Sequence, residues 1–450
     1  MNILCICPKV SDDYMHHVET IALKGWRNAS SFKRDMKRHE RFVTKVFYGL
    51  GLLTIASIQK EGVTFTFIDE NFEKEPERIY QNAHYDLIAI TGQVIQSKRT
   101  LQLINYFKNI GIYVVVGGIH ATTFFDDYIQ KGVSIIIGEG EDLFHKFFDD
   151  FVNNKQQPLY QKDCNDCIDM KDSPIPRFSS IAHYRYNLIG IQTTRGCPYR
   201  CSYCNVSNIL GEKYRHKPVA QVRDEILLIK KYWPNSMLYF CDDNLFCDDN
   251  YAQQLFYALR DVKLDNWGTH ADISISKNSD LLDLLALNGS PYFAIGFETL
   301  SKNNMKYLGN KMKKDMLSEY ESSISKLVSK GIDVGGAFMF GFPGDSMKEL
   351  VDITEFIKRY NIKGYITRYS AIPGSELYCK IMGEYIDKNG PIKAKGTKQA
   401  RIINTFFMKK NGYNLWDTEN MIIDTLQKTY KNELPLTYID ALAVFRSFFL

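Results

Sequence analysis

Three cysteines, Cys197, Cys201 and Cys204, stand in the run Thr-Thr-Arg-Gly-Cys-Pro-Tyr-Arg-Cys-Ser-Tyr-Cys. Their spacing is C-x3-C-x2-C. Three thiolates that close in sequence can each take one iron of a [4Fe–4S] cube. A protein that supplies only three of the usual four thiolates leaves one iron open. An open iron can bind a small molecule carrying both an amine and a carboxylate, as S-adenosylmethionine does. The alternative is a zinc knuckle. Zinc usually draws four ligands from paired Cys or His groups, and no partner pair follows within a few turns.

Residues 188–194 read as a short apolar strand, and the cysteines follow it on a loop that opens with Arg195-Gly196. Tyr203 directly precedes the last cysteine, where an aromatic ring can cover an adenine. This constellation resembles the radical SAM superfamily signature, C-x3-C-x-aromatic-C. The resemblance implies reductive cleavage of S-adenosylmethionine to methionine and a 5′-deoxyadenosyl radical. In such chemistry the cofactor performs the hard step and the protein positions it.

Such a loop needs a scaffold. Strands are expected at 188–193, 237–241, 268–273, 292–297, 333–340 and 365–371, with helical patterns between them. Six β/α units match the partial (β/α)6 barrel of the superfamily, whose catalytic groups gather at the carboxyl ends of the strands. Asp242 and Asp243, in Phe-Cys-Asp-Asp-Asn, are candidates for the methionine amine; the alternative is that they cap a turn. Glu298, in Gly-Phe-Glu-Thr, resembles the superfamily's Gly-x-Glu-Ser segment near the ribose. Gly341, in Gly-Phe-Pro-Gly-Asp, resembles the glycine-rich turn by the adenine, or is a plain tight turn. Arg368 and Ser370 could also face this cavity.

Residues 1–152 alternate apolar runs, at 3–7, 64–68, 86–91, 112–116 and 133–137, with helical patterns at 50–60, 97–108 and 141–152. That alternation implies an α/β fold with a parallel, doubly wound sheet of the flavodoxin or Rossmann kind. Ligands of such sheets bind at the carboxyl ends of the strands. Gly92, the pair Gly117-Gly118 with His120, and Gly138 with Glu139 all fall on turns there. Glycine lets backbone come close to a bulky ligand. Residues 153–187 carry Pro158, Pro174 and Pro176 and read as a linker. Their Cys164-x2-Cys167 reads as an exposed, incidental pair, with half a metal site or a redox pair as the alternatives. Residues 188–380 form the barrel, and 381–450 read as a helical tail, clearest at 416–431. The segment 11–42, rich in Lys, Arg and His, reads as a solvated basic helix or a cover for cofactor or substrate.

A doubly wound domain ahead of such a barrel resembles the cobalamin-binding radical SAM proteins. The likeness runs through Val116-Gly-Gly-Ile-His-Ala-Thr122, Ile137-Gly-Glu-Gly-Glu141, Pro174-Ile-Pro-Arg-Phe178, Thr194-Arg-Gly-Cys-Pro198, Gly296-Phe-Glu298 and Pro373-Gly374. Within that family it resembles the hopanoid C-2 methylase branch, through Tyr48-Gly-Leu-Gly-Leu-Leu-Thr54, Cys204-Asn-Val-Ser-Asn-Ile-Leu-Gly211 and Asp242-Asp-Asn-Leu-Phe246. The resemblance implies cobalamin between the two domains and methylation of an unactivated carbon in a lipid, peptide or small natural product. An electron donor such as flavodoxin or ferredoxin is implied as a partner. One departure matters: none of the nine histidines sits in the Asp-x-His-x-x-Gly pattern that supplies a lower cobalt ligand. His120 is therefore expected as a contact rather than a metal ligand.

Two rivals remain open. An epimerase, cyclase or rearrangement enzyme with a vestigial cobalamin domain needs a hydrogen donor, for which Cys379 is the candidate. A redox sensor or electron carrier needs the cluster alone. Net charge is +4 with acids and bases interspersed, which gives no electrostatic case for nucleic acid. No apolar run is long enough to span a membrane, and the N-terminus reads as a first strand rather than a signal peptide. The ten cysteines, scattered apart from the cluster, are expected to be reduced in the cytoplasm.

Overall fold

The computed structural model describes residues 1–11, 45–58, 61–82, 84–163, 166–309 and 311–429. Nearly all of the basic 11–42 segment, Cys164 and the last two residues of the 416–431 helix lie outside these.

The first sheet is wholly parallel, in the order β2-β1-β3-β4-β5-β6. Its strands are β1 (Asn2–Cys7), β2 (Thr64–Asp69), β3 (Leu87–Thr91), β4 (Tyr113–Gly117), β5 (Ser134–Ile137) and β6 (Leu159–Gln161). β3 is buried at all five positions, because helices cover both faces of the sheet. Helix Ser97–Asn109 lays Thr100, Leu103, Ile104 and Phe107 against one face. Helix Gly140–Val152 lays Leu143, Phe144, Phe147 and Phe148 against the other. The first shows the i, i+3, i+4, i+7 spacing of an apolar stripe, and the second presents adjacent pairs one turn apart. The sequence pattern leaves β6 unread within the expected linker. Three residues behind Pro158 are too few to show an alternation, yet Leu159, Tyr160 and Gln161 pair in register with 135–137.

The second sheet is also parallel and follows chain order: β7-β10-β11-β12-β13-β14. β7 is Leu188–Ile191, and the short antiparallel pair β8 (Thr194–Arg195) and β9 (Arg215–His216) follows it. Then come β10 (Met237–Phe240), β11 (Asn266–Ala271), β12 (Ser290–Glu298), β13 (Asp333–Phe340) and β14 (Tyr365–Arg368). β7 and β14 stand at opposite edges of this order, which makes an open, six-stranded barrel rather than a closed one. Alternation along β12 sorts the faces. Phe293, Ile295 and Phe297 are fully buried under the helices, while Tyr292, Ala294, Gly296 and Glu298 line the inner cavity.

The two sheets share one core. Val10, Phe47, Leu53, Ile95 and Phe124 from the first half belong to the same buried cluster as Phe178, Ile189 and the barrel helices. Phe47 N donates to Leu188 O at 3.2 Å, and Tyr186 Oη donates to Asp69 at 2.9 Å. The tail helices Glu376–Asn389, Gly396–Lys410 and Leu415–Thr429 close the β14 end. The Asn404 amide brackets Ala371 there, accepting from its N and donating to its O at 2.8 Å each.

At the β13–β14 contact, a side chain at Gly364 would collide with the Gly336 carbonyl. Gly364→Ala is expected to lower the urea midpoint by about 1–3 kcal/mol of stability, as overpacking does. Gly383→Ala, in a tail helix with open space around it, is expected to hold or raise it by up to about 1 kcal/mol.

Candidate active site

The cysteine loop hangs between β8 and β9. Gly196 has φ +87°, and a Cβ there would meet the carbonyls of Lys213 and Gly211. Only glycine takes that turn without strain. Cys197 N donates to Gly211 O at 3.3 Å, Cys201 N to Tyr199 O at 2.9 Å and Cys204 N to Cys201 O at 3.0 Å. The barrel grips the loop from outside. Ser202 N donates to Leu308 O at 2.9 Å, Leu377 N to Ser202 O at 2.8 Å, and Asn205 Nδ2 to Pro373 O at 3.2 Å.

All three cysteines are partly exposed and line one cavity of about 270 Å³ inside the barrel mouth, with Tyr203, Asp243, His270 and Glu298. Among the described residues no group of three or more His, Cys, Asp or Glu side chains is gathered closely enough to hold a single metal ion. A cube takes one thiolate on each iron, so its thiolates stand apart; a zinc ion draws them into one tetrahedron. Burial, with Cys201, Asp243 and Cys197 nearby, pushes the Cys204 thiol up to about 12 against a hydrogen bond from Val206. Burial and then the neighbouring Asp242 push Asp243 up to about 6. Three thiols and three carboxylates, Asp243, Asp272 and Glu298, share this space, and a cationic guest relieves their repulsion. The residues therefore fit an iron–sulfur cluster and an ammonium-bearing ligand.

Tyr203 Oη donates to Glu298 Oε1 at 2.7 Å, joining the cysteine loop to the end of β12. Burial, and then the Glu298 charge, raise this phenol well above its usual range, so it stays a donor. Glu298 itself has φ +67°, a left-handed backbone at a bulge in the β12–β13 register. Non-glycine residues in that region often mark functional sites.

Other expectations change in the structure. Asp242 is fully buried and turned from the cavity: it accepts from Thr193 N and Oγ1 at 2.8 Å each and from Thr194 N. It fixes the entry to the cysteine loop, while its neighbour Asp243 lines the cavity. Gly341 lies under the tail, beside Met408, Thr418 and Tyr413, with its N bonded to Asp345 at 3.0 Å. Arg368 and Ser370 are buried and lie outside the cavity lining. Cys379 is exposed on helix Glu376–Asn389, also outside that lining. Cys241, which the sequence did not single out, is exposed at the end of β10 with its thiol over Gly190 of β7. The alternation Tyr239-x-Cys241-x-Asp243 at the end of β10 was the available signal.

At the carboxyl ends of the first sheet two cavities, of about 190 and 570 Å³, share Gly138 and Glu139. Gly117 and Gly118 line the smaller one. Gly118 has φ +90°, and a Cβ there would strike Thr91 Oγ1. Gly92 packs behind Gly118 rather than on the cavity wall. The larger cavity continues to Asn208, Gly374, Tyr378 and Met382, on barrel and tail segments. His120 faces neither: it is 4% exposed, its Nδ1 lies 2.6 Å from Tyr128 Oη, and burial pushes it down to about 4.

Glu139 does more than line a cavity. It accepts from Arg195 Nη1 at 3.3 Å and from Arg215 Nη1 at 2.8 Å. Glu141 accepts from Arg195 Nη2 at 2.7 Å and from Ser173 Oγ at 2.9 Å. Arg195 and Arg215 flank the cysteine loop in sequence, and all four side chains are at least nine-tenths buried. The sequence marks both partners, in Thr-Arg-Gly-Cys and Gly-Glu-Gly-Glu, but not their meeting.

Known proteins resemble this chain in both halves. Residues 191–357 match the family profile of the radical SAM superfamily. Bacteriochlorophyllide d C-12(1)-methyltransferase of Chlorobaculum tepidum is 26% identical over 322 residues, 70% of this chain and 69% of that protein. Hopanoid C-2 methylase of Rhodopseudomonas palustris is 24% identical over 351 residues, 74% of this chain and 64% of that protein. The radical S-adenosylmethionine methyltransferase TsrM of Kitasatospora setae, solved with cobalamin and a [4Fe–4S] cluster, superposes with TM-score 0.61 at 14% identity. The match covers 86% of this chain and 75% of TsrM. The cobalamin-dependent S-adenosylmethionine radical enzyme OxsB gives 0.64 at 13% identity, covering 99% of this chain and 72% of OxsB. At these identities the structural likeness is one of fold.

Arg195→Met leaves Glu141 without its cation, and is expected to cost about 3–5 kcal/mol in chemical denaturation. Burial alone raises Glu141, but Arg195 outweighs it and holds the carboxyl below the usual range. A depressed folded value stabilises above the unfolded one and is lost as pH falls through the folded value. Wild-type stability should therefore fall as pH drops below the ordinary glutamate range, with a smaller fall in Arg195→Met.

Proposed function

The barrel of this chain is a radical SAM domain, and on that premise we propose that the protein is a cobalamin-dependent radical SAM methyltransferase. It acts on an unactivated carbon of a lipid, peptide or small natural product. The observation that carries this is the buried charge network that ties the cysteine loop to the glycine-lined cleft of the first sheet. Arg195, Glu139 and Glu141 line that cleft. Arg195 and Arg215 flank the loop whose three cysteines line the barrel cavity.

When bound, the [4Fe–4S] cluster and S-adenosylmethionine supply a 5′-deoxyadenosyl radical, and cobalamin supplies the methyl group. Cys197, Cys201 and Cys204 hold three irons. Asp243 accepts the methionine amine. Glu298, oriented by Tyr203, takes the ribose hydroxyls. Gly117, Gly118 and Gly138 let backbone meet the corrinoid closely, and Glu139 anchors the wall between its two chambers. His120 is committed to Tyr128 in the core and serves only to brace that loop. Asp242 holds Thr193 and Thr194 so that the loop keeps one shape. Reduction of the cluster calls for a protein reductant of the flavodoxin or ferredoxin kind, in the reducing cytoplasm. No helix among the described residues is long and apolar enough to cross a membrane.

Protein reconstituted anaerobically with iron, sulfide and cobalamin should show corrinoid absorption and form 5′-deoxyadenosine under a strong reductant. The Cys197→Ser, Cys201→Ser and Cys204→Ser variants should each form none. Tyr203→Phe should fold and bind iron normally but weaken S-adenosylmethionine about tenfold, the loss of one charge-assisted hydrogen bond. No 5′-deoxyadenosine from the wild type would sink the proposal.

A further inference from the structure

The tail carries a charge pattern that the chemistry above does not use. Residues 376–412 hold eight Lys and Arg against three Asp and Glu, while the whole chain is only +4. The rest of the molecule is thus close to neutral, and the positive excess sits on helix Gly396–Lys410 and on Lys393 and Lys395, which connect it to helix Glu376–Asn389. Between these helices lies an open groove of about 800 Å³, walled by Tyr385, Lys388, Arg401, Phe406, Lys409 and Lys410. Tyr385 and Phe406 form its apolar floor, edge to face at 5.4 Å. Lys388, Arg401, Lys409 and Lys410 are exposed along it, and Glu384 is tied to Lys410.

The groove is mechanically joined to the cysteine loop. Leu377, at the start of the first tail helix, donates its N–H to the carbonyl of Ser202, which lies between Cys201 and Cys204. From Leu377 to Glu384 the helix rises about 10 Å. Lys380, Glu384 and Lys388 follow one face at i, i+4 spacing. Arg200 on the cysteine loop, with a side chain 73% exposed, and the exposed Lys306 beside that loop extend the basic surface.

We infer that this groove docks an acidic electron-carrier protein that reduces the three-cysteine site. The inference rests on the radical reading above. One electron leaves the carrier's reduced cofactor and enters the cluster; no bond forms or breaks at the groove, and the carrier is left oxidised by one electron. Charge complementarity selects the occupant. The chain's own segments outside the described residues do not complement the groove: residues 12–44 are net basic, and 430–450 carry Lys431 and Arg446 against Glu433 and Asp440. A nucleic acid would profit from a broad positive field, which the near-neutral remainder does not provide.

The test compares wild type with Lys388→Glu/Arg401→Glu/Lys409→Glu, a triple reversal of exposed side chains. Two readouts are taken: direct binding of an acidic flavodoxin to the purified chain, and 5′-deoxyadenosine formation by the reconstituted holoenzyme. The second uses either reduced flavodoxin or dithionite. At low salt the triple variant should bind flavodoxin and turn over with it about tenfold more weakly, with dithionite-driven turnover unchanged. Added salt should weaken the wild type towards the variant. Unchanged flavodoxin binding in the variant overturns the inference, and so does an equal loss with dithionite. Wild-type preference for anionic vesicles or an oligonucleotide over flavodoxin, lost in the variant, also overturns it. If dithionite yields no 5′-deoxyadenosine even from wild type, the radical reading fails, while the binding titration still judges the groove.

Discussion

The structure depends on a buried knot of charge. Arg195 stands two residues before Cys197, and Arg215 closes the same loop on its far side. Arg195 reaches out of the barrel to Glu139 and Glu141 on the first sheet, and Arg215 reaches Glu139. Ions this deep are costly to desolvate and weak as a source of net stability. Their effect is geometric. Separating the two halves would leave these charges unpaired, so their pairing seats the cysteine loop against the carboxyl end of β5. The sequence between the arginines carries the three cysteines, so their place is set from both ends.

Around this knot the barrel completes the enclosure with neutral hydrogen bonds. Segments after β12 and β14 hold Ser202 and Asn205, and Tyr203 bonds to Glu298. These contacts come from strands far apart in sequence, so the cavity exists only in the assembled barrel. Asp243 and Glu298, which line it, lie at strand ends, where parallel β/α barrels generally build their sites. The glycines of the first sheet do the complementary work of leaving room, above all Gly118, whose backbone no other residue would adopt without strain.

Much of this was legible from the chain. The central strands of the first sheet read as continuous apolar runs because both their faces are buried, and the cysteine loop announced itself by spacing. What stayed hidden was direction. Asp242 and Asp243 are neighbours of one chemical type, yet one turns down onto Thr193 and Thr194 and the other into the cavity. The alternation along β10 separates them only once its inner face is known, and the packed barrel decides which face that is. Cys379 shows the same difficulty: it follows the last strand in sequence, yet lies exposed on a tail helix outside the cavity. β6 was missed because three residues hold too little periodicity. His120 shares a glycine turn with the cleft but points to Tyr128, a contact eight residues on.

The central claim is that three thiolates leave one iron free for the amine and carboxylate of S-adenosylmethionine. The most direct measurement is electron–nuclear double resonance on the reduced, reconstituted protein, with S-adenosylmethionine bearing nitrogen-15 on its amine. A hyperfine coupling from that nitrogen to the cluster is the predicted result. A cluster whose spectrum is indifferent to the labelled compound would contradict the account.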